Sequence, residues 1–291
     1  MKNTILITGR NGFVGCALVS RLKKHYDIVS LIRNKKPNID YSEEKLIFAD
    51  IRMVSIDDLR KYHFDFIVHL ASMVRGQAKF ILQNNIEISQ KIFQVAQECD
   101  IPVLFLSTTN VLFAEKLGAY AQSKKTCEEY LSQLNLKYVI VRVPLIIGNE
   151  SSSMQLIKKF YKRFSFFPLF GPQEGKMQPV HVSSLINIIE YEIESSIISR
   201  KVVTVIGKQI YTYREILSKI IESDKVSRVR FIIIPFAVAK FLSLIFEWLK
   251  ISGFISTEEI ISVNMDKVLE NNSDGIAVYV DNQLPVLFQN A

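Results

Sequence analysis

The chain has 291 residues, 48% of them hydrophobic, which is enough apolar material for one large domain or for a domain with a smaller lobe. Its formal charge of +7 comes from lysines and arginines scattered along the sequence, a balance that favours anionic ligands in general without indicating nucleic acid. These features exclude a disordered chain, and we expect no nucleic-acid partner.

The first predicted element is a strand, Ile5–Thr8, which runs directly into three glycines spaced three apart and then into an apolar helical segment. Gly9 would permit a tight turn, Gly12 the close approach of a pyrophosphate, and Gly15 the packing of helix against strand. A helix N-terminus offers free N–H groups and the positive end of the helix dipole to a phosphate. We therefore predict a dinucleotide-binding loop, with an ordinary glycine-rich turn as the alternative.

Short apolar runs alternate with segments of helical periodicity, such as Ile86–Ala96 and Thr126–Leu134, through the first half of the chain. This alternation predicts an α/β fold with a doubly wound, Rossmann-like parallel sheet that binds ligands at the carboxyl ends of its strands. The predicted strands after the first are Ile28–Ile32, Lys45–Phe48, Phe66–Leu70, Val103–Leu106, Tyr138–Val141 and, as a further strand, Val202–Ile206.

The second strand ends in Ile32 and Arg33, where an acidic residue would accept the ribose hydroxyls of NAD. A guanidinium group suits a 2′-phosphate instead. We therefore expect NADP as the cofactor, with NAD as the alternative, unless Arg33 is simply a solvated charge at the end of a strand.

The alternating pattern ends after Gly148. We expect residues 1–149 to form the dinucleotide-binding domain, with residues 177–208 returning to it. Residues 150–176 and 209–291 are then expected to form a smaller, C-terminal substrate-binding lobe.

The segment most like a membrane span is Phe231–Gly253, but a proline and three charged residues interrupt it before it reaches the ~20 apolar residues that a span needs. We predict a strand, Phe231–Ile234, followed by an amphipathic helix in a core. Docking of Phe231–Trp248 on a membrane or on a partner is the alternative.

The three cysteines, Cys16, Cys99 and Cys127, lie in predicted helices without metal-ligand spacing. We expect them to be buried thiols in a reducing compartment, and we expect no metal site. No signal peptide precedes the first strand, so a cytoplasmic location is expected.

Tyr120 and Lys124 are four residues apart on a predicted helix, so their side chains project from one face. An ammonium group near a phenol stabilises the phenolate and lowers the phenol pKa, which makes tyrosine usable as an acid-base catalyst. Thr108, at the end of a predicted strand, could bring a hydroxyl to the same point. Two surface residues on a helix are the alternative interpretation of the pair.

Several segments in this order resemble the extended short-chain dehydrogenase/reductases, the NAD(P)-dependent epimerases, dehydratases and reductases of nucleotide sugars. They are TGRNGFVG (8–15), ADI (49–51), DFIVHLAS (65–72), NNIEISQKIFQVAQ (84–97), LSTTNV (106–111), YAQSK (120–124), VRVPLIIG (141–148) and GKMQPVHVSSL (175–185).

The resemblance implies roles for individual residues. Thr108, with Thr109 as a secondary candidate, would hydrogen-bond the substrate oxygen and Tyr120 would be the catalytic acid-base. Lys124 would hold the nicotinamide ribose and lower the pKa of the tyrosine. The implied cofactor-binding residues are Gly9, Asn11, Gly12, Phe13, Val14, Gly15, Arg33, Asp50, Ile51, Leu70, Ala71, Tyr120, Lys124 and Val143.

The chain also departs from the pattern of that family. The loop between Thr108 and Tyr120 is shorter than usual, which trims one wall of the substrate cleft. Where many members have an arginine for a nucleotide phosphate, this chain has Lys176, Met177 and Gln178. His181 is expected to be a structural residue at a helix start.

The leading functional hypothesis is an NADP-dependent reductase of a keto-sugar nucleotide. The second is a nucleotide-sugar 4-epimerase that retains NAD, and the third is a non-catalytic cofactor-binding or membrane-associated scaffold. A homodimer is left open.

Overall fold

The computed structural model describes residues 2–164, 166–195, 200–223, 229–241, 257–269 and 275–282. The strands are β1 (Thr4–Thr8), β2 (Asp27–Ile32), β3 (Glu44–Phe48), β4 (Phe66–His69), β5 (Val103–Thr108), β6 (Tyr138–Val143), β7 (Ile146–Ile147), β8 (Phe166–Phe170), β9 (Lys176–Met177), β10 (Val180–His181), β11 (Lys201–Gly207), β12 (Tyr211–Thr212), β13 (Arg230–Ile234) and β14 (Ile276–Val280). The helices are α1 (Phe13–Leu22), α2 (Ile56–Arg60), α3 (Ala78–Glu98), α4 (Ala114–Gln133), α5 (Ser152–Phe164), α6 (Val182–Glu194), α7 (Tyr213–Ser223), α8, which begins at residue 236 and is described as far as residue 241, and α9 (Thr257–Asn264).

Eight strands form one sheet in the order β14-β11-β6-β5-β4-β1-β2-β3, and every neighbouring pair in it is parallel. All the strands predicted for the dinucleotide-binding sheet lie in it, so the predicted fold class is confirmed. Their near-continuous apolar sequences match a sheet that is covered on both faces.

The two faces of this sheet carry separate hydrophobic cores. On one face, α3 and α4 contribute residues such as Phe93 and Leu131. On the other, α1 and α6 contribute residues such as Leu18 and Ile189. This layering leaves the carboxyl ends of the strands as the edge where ligands can bind.

One strand lies elsewhere than the sequence predicted. Ile276–Val280, which was assigned to the lobe, extends the main sheet beside β11. An edge strand pairs on one side only, so its position depends on the exposed edge of β11 and not on a pattern in its own sequence.

A third core lies under α5 and α7. It joins Met154 and Tyr161 of α5 to Ile216 and Ile220 of α7, with Leu169 of β8 also buried. The two sequence pieces predicted for the lobe thus pack against each other.

The predicted strand Phe231–Ile234 is present as β13, and a helix follows Pro235. In the described part of this segment, the predicted core position is held by Phe231, which packs against the third core, and by Ala239, which is buried, whereas other large apolar side chains face solvent. They are Ile232, Ile233, Phe236, Val238 and Phe241. The rest of the segment, including Trp248, lies outside the described residues.

Candidate active site

The loop between β1 and α1 is shaped to receive a phosphate group. Gly9 has φ +75°, and a Cβ there would lie 2.6 Å from the backbone nitrogen of Ala71. A Cβ on Gly15 would collide with the carbonyl oxygen of Gly9, whereas the nearest atom to a Cβ on Gly12 is that same oxygen at 3.1 Å. Gly12 is also the N-cap of α1 and offers no capping side chain. The first-turn N–H groups, which Phe13, Val14 and Gly15 supply, therefore suit a pyrophosphate.

Asn11 fixes this loop to the segment that follows β2. Its amide nitrogen donates to the Asn34 carbonyl oxygen at 2.8 Å, and its amide oxygen accepts from the Tyr41 hydroxyl at 2.6 Å. Lys36 Nζ donates to the Asn11 backbone oxygen at 2.9 Å. The Asn11 side chain, which is predicted to touch a cofactor, thus braces the loop, and the Asn11 backbone oxygen holds a lysine ammonium beside it.

Arg33 is exposed at the end of β2, and Asp50 follows the end of β3. Asp50 accepts from Arg52 through both carboxylate oxygens, from Nε at 2.9 Å and from Nη2 at 2.7 Å. These hydrogen bonds, with a smaller contribution from the Arg33 charge, lower the pKa of Asp50 to about 2. The charge of Arg33 therefore acts on Asp50 between the ends of β2 and β3.

A second carboxylate beside β2, that of Glu44, is also held in an ion pair. Arg10 of the glycine loop, only 4% exposed, donates to Glu44 from Nε at 2.9 Å and from Nη2 at 2.6 Å, and Ser30 donates to the same carboxylate. Arg10 is consequently committed to a buried ion pair, whereas Arg33 remains exposed.

Two of the three predicted catalytic residues, Thr108 and Lys124, contact the carboxyl end of β5, and Tyr120 lies one turn before Lys124 on α4. Thr108 ends that strand opposite Val143 of β6, and its hydroxyl oxygen accepts from the Asn110 N–H at 3.2 Å. Lys124 Nζ donates to the Leu106 carbonyl oxygen at 2.8 Å. This hydrogen bond holds the face of α4 that carries Tyr120 and Lys124 against the end of β5.

The electrostatics at Tyr120 differ from the prediction. Burial raises the pKa of Tyr120, and a hydrogen bond with the Ser72 side chain partly offsets the rise. Burial also lowers the pKa of Lys124 to about 8. Lys124 is thus not seen to lower the tyrosine pKa, because its ammonium is turned to the Leu106 carbonyl.

The remaining predicted cofactor residues line the same edge. Leu70 follows β4 and its N–H donates to the Thr8 carbonyl oxygen at 3.2 Å, while Ala71 closes on Gly9. Ile51 and Val143 are buried at the ends of their segments. The glycine loop between β1 and α1, the uncapped N-terminus of α1 and these small or apolar neighbours are suited to hold a dinucleotide.

The model of the NAD dependent epimerase/dehydratase family matches residues 5–201. The chain belongs to this family. Among curated relatives it is 22% identical over 205 residues to a decarboxylating sterol-4-alpha-carboxylate 3-dehydrogenase of Dictyostelium discoideum, covering 59% of this chain and 61% of that protein. The chain thus spans less than two thirds of the length of the curated relatives that it matches.

Solved structures of similar fold include a UDP-glucuronic acid 4-epimerase from Bacillus cereus in complex with NAD, with TM-score 0.67 and 19% identity over 91% of this chain and 97% of that one. Another is a UDP-N-acetylglucosamine 4-epimerase from Methanobrevibacter ruminantium, with TM-score 0.70 and 18% identity over 81% of this chain and 86% of that one. At this identity, the likeness establishes the fold.

Asn85 of α3, which no sequence motif indicates as a site residue, connects two segments of the site in this member of the epimerase/dehydratase family. Its amide oxygen accepts from the Met73 N–H at 2.6 Å and its amide nitrogen donates to the Met73 carbonyl at 2.9 Å and to Ser123 Oγ at 3.1 Å. Ser123 donates in turn to the Tyr120 carbonyl at 2.8 Å. Asn85 therefore ties the loop that holds Ser72 to the helix that holds Tyr120. The only sequence signal was its place in the NNIEIS segment.

His69 forms a second buried connection in this region. One ring nitrogen is 2.7 Å from Thr8 Oγ1 and the other 3.0 Å from Ser89 Oγ, and burial lowers the pKa of the ring well below its usual value. A neutral His69 thus joins the strand before the glycine loop to α3.

Helix α9 contacts α4, the helix that carries Tyr120 and Lys124. Gly118, with φ +74° and ψ −161°, breaks α4 just before Tyr120. The Ala119 N–H donates to Glu258 Oε1 of α9 at 3.0 Å. A carboxylate from the far end of the chain therefore caps the segment that carries Tyr120, which no local pattern predicted.

At the family's arginine position, Met177 and Gln178 are buried and the Gln178 side chain accepts from the Leu269 N–H at 2.8 Å. Lys176 remains exposed. His181 caps α6, where its ring accepts from the Ser183 N–H at 3.2 Å, so the structural role predicted for it is confirmed.

Proposed function

We propose that this protein is an NADPH-dependent reductase of a keto-sugar nucleotide. Membership of the epimerase/dehydratase family supports the reaction class, and the nucleotide-sugar complexes among its structural neighbours support the substrate class. The choice of reductase and of NADP rests on the residues of this chain.

In the proposed reaction, the carbonyl carbon of the sugar gains a hydride and its oxygen gains a proton. The dinucleotide, when bound, supplies the hydride. Tyr120 gives the proton to the oxygen, and Thr108 orients that oxygen by hydrogen bonding. Lys124 holds the ribose next to the reacting carbon.

The protonation state of Tyr120 favours this direction. A reductase needs a neutral phenol when the carbonyl substrate binds, whereas an oxidation that comes first needs a phenolate. A phenol with its ordinary pKa near 10 is already protonated at neutral pH, and burial raises the pKa of Tyr120 further, so Tyr120 starts as a proton donor.

The observation that carries the cofactor assignment is the end of β2. Arg33 is exposed there, while two carboxylates that could accept ribose hydroxyls are engaged elsewhere: Glu44 binds Arg10 and Asp50 binds Arg52. An available guanidinium and engaged carboxylates favour a 2′-phosphate over a free 2′-hydroxyl.

Titration of the purified protein with NADPH and NADH tests this assignment. NADPH should bind more tightly than NADH. Arg33→Asp should weaken the binding of NADPH by about 1.5–3 kcal/mol, the range of a lost charge-assisted contact, and should change the binding of NADH little. Arg60→Asp is the control, since it reverses an exposed arginine on α2. Equal affinity of the native protein for both cofactors would refute the proposal.

A 4-epimerase is the second candidate, because both solved structures described above are 4-epimerases. An epimerase oxidises and reduces one carbon in turn, so it shows no net consumption of NADPH. Gel filtration followed by absorbance of the protein peak separates the two. Cofactor that stays bound, without NADPH oxidation across a panel of keto-sugar nucleotides, would favour the epimerase.

A further inference from the structure

One region of the lobe surface combines exposed apolar side chains with basic ones. This region, here called the lobe patch, consists of the second half of α5, β13 and the described start of α8. We propose that the lobe patch docks the protein onto an anionic lipid bilayer. The inference is independent of the reaction proposed above.

The apolar part of the patch includes side chains on both sides of one strand, since neighbouring side chains of a strand point to opposite sides, and side chains at the start of the next helix. On β13, Ile232 is 50% exposed and Ile233 52%, and at the start of α8 Phe236 is 40%, Val238 47% and Phe241 64% exposed. Large apolar side chains this exposed and this close together are characteristic of an interaction surface and not of a solvated one.

The end of α5 adjoins the same strand. Strand β13 pairs with β8 in parallel, with Arg230 opposite Phe166. The Phe166 ring lies 5.9 Å from that of Phe164, which is 47% exposed, and the Phe160 and Phe164 rings are 4.9 Å apart. An aromatic cluster therefore extends the apolar surface to the basic end of α5.

The charge of the patch has one sign. Residues 152–170 and 229–241 contain no aspartate or glutamate, although the chain carries 29 acidic residues in all. Arg163 is exposed, with its guanidinium 5.7 Å from the Phe164 ring centre. The basic residues of the two segments are Lys158, Lys159, Lys162, Arg163, Arg230 and Lys240.

A bilayer with anionic headgroups fits this arrangement better than a protein partner does. Exposed phenylalanine and isoleucine side chains can enter the boundary between headgroups and acyl chains, while long basic side chains reach the lipid phosphates. Each basic side chain near an anionic surface adds about fivefold to the binding constant. Within the described residues, no helix has the length and apolar character to cross a bilayer.

Sedimentation of the full chain with lipid vesicles tests the proposal. The protein should bind vesicles of phosphatidylcholine mixed with an equal amount of phosphatidylglycerol, and should bind phosphatidylcholine alone much more weakly. Added salt should weaken the binding, because exposed charges are screened. Failure of the native protein to bind the mixed vesicles would overturn the proposal.

Matched variants locate the contact. Phe241→Ser should weaken binding about tenfold, the effect of removing one large apolar side chain from a buried position. Phe80→Ser, at the start of α3, removes a phenylalanine that is 63% exposed, against 64% for Phe241, and should leave binding unchanged. For charge, Lys159→Glu combined with Arg163→Glu should weaken binding, while Arg60→Glu combined with Lys61→Glu on α2 should not.

Two further outcomes decide against the bilayer. If the patch variants and the control variants bind vesicles equally, the contact lies elsewhere. If Phe241→Ser instead converts a dimer to a monomer in analytical ultracentrifugation, the lobe patch covers a second copy of the chain. Unchanged circular dichroism and NADPH affinity in each variant would show that any loss of binding is local.

Discussion

The proposed catalytic end of the site, with Thr108, Tyr120 and Lys124, differs from the β2 end, with Arg33 and Asp50, in its contact with water. Lys124 is 2% and Thr108 7% exposed and Tyr120 is half-buried, whereas Arg33 is an exposed residue. Electrostatic interactions are strong where water is excluded and are screened where it is not. Substitutions should therefore have large effects at the catalytic end and modest, salt-dependent ones at the β2 end.

The largest effect is expected at Tyr120. Tyr120→Phe removes only the phenolic oxygen, which is the proposed proton donor, so turnover should fall by ~10²–10⁴ while cofactor affinity stays nearly unchanged. Stopped-flow single-turnover rates, with NADPH titration as the control, measure the two quantities separately. A variant that reduces or epimerises its substrate at a near-normal rate would leave Tyr120 and Lys124 as two ordinary helix residues.

Substitution of Asn85 should have the next largest effect on kcat, because Asn85 positions other site residues and does not itself take part in the reaction. Asn85→Leu leaves the Met73 N–H without its partner and frees the loop that holds Ser72, so kcat should fall about tenfold or more, with a small change in the KM for NADPH. Gln94→Leu is the control, because it removes an exposed amide from the same helix.

A second variant separates positioning from simple loss of stability. Asn85→Asp keeps an acceptor for the Met73 N–H but loses the donor to the Met73 carbonyl, and should recover part of the lost kcat. If both Asn85 variants lower the melting temperature yet keep native kcat, Asn85 is a stabilising residue only.

Added salt should weaken the cofactor preference set at the β2 end and leave the reaction rate at the proposed catalytic end nearly unchanged. The preference for NADPH over NADH, which depends on the exposed Arg33, should shrink a few-fold between low and high salt. The single-turnover rate of the bound complex, which depends on buried groups, should change little. Titrations and single-turnover measurements in the same salt series test both, and an NADPH preference that is insensitive to salt would locate the 2′-phosphate in a buried site instead.

The smallest effect is expected at Asp50. Its pKa, about 2, lies below the ordinary value of 3.8, so the pair with Arg52 stabilises the folded state above pH 4 and loses this contribution as the pH falls towards 2. Asp50→Asn should cost at most about 1 kcal/mol of unfolding free energy at neutral pH, because the pair is partly solvated. In urea denaturation, the difference from the native protein should vanish between pH 4 and pH 2.

The sequence predicted those parts of the molecule that have a local signal. Strands buried on both faces are continuous apolar runs, and Gly9 is a glycine because the backbone of Ala71 lies against it. The contacts of Asn85 with Met73 and of Glu258 with Ala119 join distant parts of the chain, so no local spacing of residues predicts them. The pKa of Tyr120 is raised and not lowered, because the phenol is buried and the Lys124 ammonium turns to the Leu106 carbonyl, and a sequence displays neither burial nor this orientation.

The place of β14 in the sheet has a consequence for protein synthesis. Strand β11 is complete once the ribosome has added residue 207, but the strand that covers its outer edge ends at residue 280. At ~5–20 residues per second, the backbone N–H and C=O groups on the outer edge of β11 stay unpaired for about 4–15 s before β14 has been made. An uncovered edge is a template for pairing with another chain. During that interval the nascent protein depends on dilution and on chaperones to avoid aggregation, and any chain that stops short of β14 is exposed to the same hazard permanently.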